Sequence, residues 1–169
     1  VSVLLFGASD ADSSDEHPIY ARSGWRIPQE KPDSLSIELM RIRAKERKSW
    51  RGRIILRSLS PYPYNCVGMI FASRRAWIEI DYIYKIFLED GYRQISRDDV
   101  KQGDVILYKN YAGEPSHVAL VVMVESIGQT RNIQVMSKWG PEAEYIHFME
   151  DVPEWLGIPA EFYTERIDT

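Results

Sequence analysis

The alternation of apolar and polar positions predicts helices in the first half of the chain and strands in the second. From Asp33 or Ser34, either of which can cap a helix, Leu35, Leu39 and Ile42 follow at one-face helical spacing. Ile54 to Leu56 forms a short apolar run that predicts a strand, and SPYPYN is the turn-rich loop after it. From Cys66 to about Glu89 the pattern is again helical, with a break near Ile80-Asp81 and a stop at Gly91. The period then changes. GDVILYKN, HVALVVMVES and NIQVMSKW are β-branched and apolar, and the turn-like AGEPS and IGQTR separate them. Three consecutive antiparallel strands are expected there. The acid-rich tail from Pro141 is expected to pack Trp155, Phe162 and Tyr163 back on the body. Helices segregated from an antiparallel sheet predict the α+β class.

Composition narrows the function classes. With 169 residues, 44% of them hydrophobic, the chain can bury one proper core and is not of disordered type. A net charge of -4 argues against nucleic acid as the main partner. The basic run from Arg41 to Arg57 is either a patch for an acidic partner or a solvated helix face balanced by the acidic tail. A single cysteine excludes an internal disulfide framework, and with three histidines it excludes a Cys-rich zinc site. No metal or other cofactor is expected. No apolar run approaches the roughly 20 residues that span a bilayer. The opening VSVLLFGASD lacks the basic flank of a signal peptide, so a cytoplasmic setting is expected, or delivery as an effector or toxin domain. The leading Val also admits a processed or excised piece of a longer polypeptide.

The candidate chemistry centres on Cys66, which stands where the loop YPYN meets an apolar helix, with Asn65 as the expected N-cap. A helix start favours a thiolate, and Gly68 permits close approach of another backbone or of a substrate. A lone cysteine before an apolar run is otherwise a small buried hydrophobe. His117 opens the most apolar strand, where a histidine can reach a helix start and act as general base. A third group must then orient its ring, and the following strand offers Gln134, Ser137 and Lys138, with His147 a little beyond. His17 reads as a solvated loop residue, and Asp81, Asp98, Asp99 and Asp104 as capping groups.

NCVG ahead of a helix, followed by VKQGDVILYKN and SHVALVV, resembles the NlpC/P60-type branch of papain-like cysteine hydrolases. In that family a Cys-led helix is followed by a Gly-Asp that opens a strand and a His-Val that opens the next. Gly103-Asp104 and His117-Val118 match that order. SKWGPEAEYIH is also similar to a stretch of bacterial papain-like proteins in which Ser-Lys-x-Gly precedes a histidine. The resemblance spans roughly residues 60 to 150 and departs from the family at Asn65, where Asp is common, and at Val67, where Ser is.

The resemblance implies a papain-like fold in which a Cys-led helix packs on a small antiparallel sheet. Residues 59–169 would be the catalytic domain and 1–58 a partly wrapping arm and helix, the whole one compact unit. It makes Cys66 the nucleophile, His117 the base and then the acid, and Ser137 the third residue, with Gln134 and His147 as alternatives. Lys138 is the weakest orienter, since a protonated lysine accepts no hydrogen bond. Tyr64 (or Tyr62) and Asn65 fall where the oxyanion or substrate is held. The expected activity is hydrolysis or acyl transfer at an amide bond of a peptide, a protein or a peptidoglycan-like substrate. The alternative is a non-catalytic binding or effector module on the same scaffold.

Overall fold

The computed structural model describes residues 17–30, 37–58 and 64–167. The cap expected at Asp33 or Ser34, Leu35 and Tyr62 lie outside them, as do the side chain of Leu39 and the boundary at 59.

The protein is mostly β, and this corrects the expected fold class. Its centre is a seven-stranded antiparallel sheet in the order β3-β8-β7-β6-β5-β9-β4. These strands are β3 (Ile54–Ser58), β4 (Arg93–Ile95), β5 (Val105–Lys109), β6 (Pro115–Ile127), β7 (Thr130–Lys138), β8 (Glu144–Phe148) and β9 (Ile158–Thr164). A separate two-stranded ribbon joins β1 (Ile19–Tyr20) to β2 (Arg26–Ile27). The helices are α1 (Ile37–Ser49), α2 (Cys66–Phe71) and α3 (Ile83–Glu89). The papain-like expectation of a Cys-led helix on a small sheet is therefore not met. The sheet is the body, and α2 is under two turns long.

Two local causes account for the difference. The tail from Pro141 contributes β8 and β9, and β9 inserts between β5 and β4. Tyr163 of β9 also stacks on Phe87 of α3, with ring centroids 4.0 Å apart. In addition, the helical stretch from Cys66 to Glu89 is interrupted well before Ile80. Ser73 and Arg74 both adopt the left-handed conformation, at φ 49° and 63°, which ends α2 sharply. The chain then turns back so that the Ala76 carbonyl lies against Gly68, where a Cβ would come within 1.8 Å of the oxygen.

Strands β5, β6 and β7 pair antiparallel in sequence order, with Leu107 opposite Val118 and Leu120 opposite Met136. Successive side chains alternate between the two faces of the sheet. Val105, Leu107, Val118, Leu120 and Tyr163 pack with Cys66, Val67, Ile83, Ile86 and Phe87 beneath α2 and α3. Ile106, Tyr108, Ala119, Val121, Ile133, Val135, Trp139 and Tyr145 form a second core on the other face, covered by Met149, Val152 and Leu156. Burying a large apolar side chain stabilises the fold by about 1.5–3 kcal/mol, so both layers are needed to hold so wide a sheet. At one end, Asp104 is buried and accepts hydrogen bonds from Arg166 Nη2 at 2.8 Å and from the Lys101 backbone at 2.7 Å. No helix among the described residues is long and apolar enough to cross a membrane.

Candidate functional site

Asn65 is the N-cap of α2, as its position predicts. Its Oδ1 accepts from Gly68 N–H at 3.0 Å and from Ile78 N–H at 3.3 Å, while its Nδ2 donates to the Ile78 carbonyl at 2.7 Å. All three of these hydrogen bonds go to backbone, which makes the buried amide a clamp between α2 and the returning chain. Cys66 follows at 7% exposure. Burial pushes its thiol up to about 11, against the opposing pull of backbone at Val118, Val67 and Cys66 itself and of the Lys138 charge. The resting group is a thiol rather than a thiolate.

His117 is not beside it. It sits on β6 next to Val118, and neighbouring residues on a strand face opposite ways. Val118 joins the Cys66 face, so the His117 ring lies in the other core, edge-on to Tyr108 at 5.2 Å. The ring is fully buried, and neither nitrogen has a hydrogen-bond partner. Burial, reinforced by His147, pushes it down to about 3. The expected Cys66–His117 pair is thus divided by the sheet.

Ser137 and His147 share the His117 face and meet each other, Oγ to Nε2 at 2.8 Å. The other ring nitrogen of His147 lies 2.7 Å from the Phe148 carbonyl, which can only accept. Nδ1 therefore carries the proton and Nε2 accepts from the serine hydroxyl. Both residues are buried, and burial pushes His147 down to about 4. The pair ties β7 to β8 and does not orient His117. Gln134 pairs with Phe148 at the middle of β7, four residues from Lys138.

Lys138, the least favoured orienter, is the residue that reaches the cysteine's face. On β7 it shares the side of Met136 and is fully buried. Its ammonium donates to the Gly140 carbonyl at 3.0 Å and lies 4.7 Å from the centre of the Tyr64 ring. Burial pushes it down to about 8, while Cys66, Glu144 and Glu142 pull it up. The Tyr64 hydroxyl in turn donates to Glu144 Oε1 at 2.7 Å. Glu144 is buried opposite Lys138 on β8 and receives Arg74 Nε at 2.6 Å and Nη2 at 3.2 Å. Burial alone would raise this carboxyl, but Arg74 and Tyr64 hold it below the usual carboxylate range. An open cleft of about 350 Å³ adjoins the group, lined by Met69, Ser73, Arg74, Leu120 and Met136 among others.

Comparison with protein-family models, curated proteins and solved structures finds no match. The resemblance to NlpC/P60 hydrolases accordingly rests on its short motifs. Among the described residues, no three His, Cys, Asp or Glu side chains converge as metal ligands. The signal for Lys138 was present in the strand pattern, because Ser137 and Lys138 must face opposite sides of β7. Which of them meets Cys66 depends on how β7 registers with β6.

Proposed function

We propose that the protein is a thiol-dependent hydrolase or acyl transferase acting on an amide bond, with Cys66 as nucleophile and Lys138 as its proton partner. The observation that carries the proposal is the placement of a buried thiol and a buried amine on the same side of the sheet, where burial pushes the amine down to about 8. In the reacting state the neutral Lys138 amine takes the Cys66 proton, and the thiolate attacks the substrate carbonyl. Moving the proton from a group at about 11 to one at about 8 costs about 4 kcal/mol, well within an ordinary catalytic barrier. The carbon–nitrogen bond then breaks, the leaving amine takes the proton back from the Lys138 ammonium, and water or a second amine cleaves the thioester. Tyr64 and Glu144 keep the lysine in position.

The test is the rate of iodoacetamide alkylation of Cys66 against pH. The expected profile rises through about 8, and Lys138→Met removes that inflection and slows the reaction roughly tenfold at neutral pH. His117→Leu leaves the profile in place. Alkylation only after unfolding, or a profile indifferent to Lys138→Met, overturns the proposal. A second reading, a binding module without chemistry, is favoured by the resting thiol at about 11 and by the sheet that separates His117 from it.

A further inference from the structure

The end of α1 and the edge strand β3 enclose an open groove of about 460 Å³ on the Tyr145 face, lined by Arg47, Lys48, Arg51, Ile54, Leu56 and Tyr145. We propose that this groove binds an acidic peptide in extended form, which adds as a strand to the free edge of β3. The groove is separate from the Cys66 cluster, and its function does not depend on thiol chemistry.

The charge argument comes first. Arg47 has a long contact to the Tyr145 hydroxyl at 3.4 Å, and no acidic side chain neutralises Lys48 or Arg51 among the described residues. Three cations thus converge on one groove in a chain whose net charge is -4. Of the nearby acids, Glu142 acts on Arg47, and two others are engaged elsewhere. Glu46 accepts from the Trp155 indole at 2.9 Å, and Asp151 pairs with Arg53. The groove's own fold leaves positive charge that an anionic ligand would complement.

The groove's shape and chemistry point to a peptide. Its floor is aliphatic, with Ile54 half-buried and Leu56 50% exposed, so it accepts apolar side chains as well as charge. β3 is the terminal strand of the sheet, and among the described residues β8 pairs with one edge while the other carries only an isolated bridge from Arg51 to Ile54. An unpaired edge presents its N–H and C=O groups for strand addition, and side chains of the added strand alternate toward and away from the groove. A sequence alternating acid and apolar residues would set apolar groups against Ile54 and Leu56 and carboxylates toward the cations. Nucleic acid fits less well. Among the described residues the one aromatic in the lining, Tyr145, is 1% exposed and offers no stacking platform.

The experiment measures fluorescence anisotropy of a fluorescein-labelled peptide of alternating Glu and Val on the full chain. Binding should weaken with salt, and Lys48→Glu with Arg51→Glu should weaken it at least about tenfold while the unfolding midpoint stays unchanged. The same peptide with alternate backbone nitrogens methylated, which cannot pair as a strand, should not bind. Cys66→Ala should bind as the parent does, which separates this proposal from the thiol reading. Equal binding by the methylated peptide, an unchanged affinity in the charge-reversed variant, or tighter binding of a labelled single-stranded oligonucleotide overturns it.

Discussion

Replacing His117 by leucine tests the separation of the two faces through its effect on stability at two pH values. In the unfolded chain a histidine titrates near 6.5, whereas the folded protein holds His117 at about 3 and His147 at about 4. Between those values the unfolded chain binds protons that the folded one does not, so stability rises with pH through the window and falls on acidification. From pH 7 to pH 5 each histidine accounts for a loss of about 2 kcal/mol, or about 4 together. That is a large share of the roughly 5–15 kcal/mol typical of a folded domain. His117→Leu should halve the loss, to about 2 kcal/mol. At pH 7 the variant also sheds a fully buried ring with two unpartnered nitrogens, a penalty of about 1–3 kcal/mol. Loss of the edge-on contact with Tyr108 offsets about 0.5–1.5 kcal/mol of that gain. The net expectation lies between a loss of about 0.5 and a rise of about 2.5 kcal/mol. Urea unfolding followed by tryptophan fluorescence at both pH values gives these quantities directly. A variant that keeps the full acid sensitivity, or that loses more than about 2 kcal/mol at pH 7, would refute the reasoning. Either outcome would mean that the imidazole has polar partners, such as those of an assembled catalytic pair.

Other perturbations probe the scaffold beneath Cys66. Asn65→Ala removes the N-cap of α2 and leaves the Ile78 carbonyl without its donor, so it should cost about 2–3 kcal/mol in chemical denaturation and loosen Cys66 toward alkylators. Gly68→Ala drives a methyl group into the Ala76 carbonyl, and a loss of about 3 kcal/mol or more, seen as a lowered melting temperature, is expected. Arg74→Met leaves the buried Glu144 carboxylate held by Tyr64 alone among its short hydrogen bonds. It should destabilise by about 2–3 kcal/mol at pH 7, and by less in acid, where Glu144 gains a proton.

Much of the sheet's centre was legible in the chain. β5, β6 and β7 are β-branched apolar runs, and short turn signals between them dictate antiparallel neighbours. Asn65 as the cap of a helix beginning at Cys66 also follows from local chemistry alone, because capping involves residues three apart. β8 and β9 lie in the acid-rich tail, which was expected only to pack its aromatics on the body. Their partners are β7 and β3 for one and β5 and β4 for the other, some far away in sequence.

The candidate site divides along the same line. The sequence by itself determined that His117 and Val118, like Ser137 and Lys138, must face opposite sides of their strands. Only the tertiary structure decided which side α2 would cover. A strand's side-chain period is two, so a choice of register or packing face moves every residue to the other surface at once. That choice was made by long-range burial, with Val118 and Leu120 beneath α2 and Ala119 and Val121 in the opposite core. It put Lys138 on the cysteine's side of the sheet and left His117 on the other.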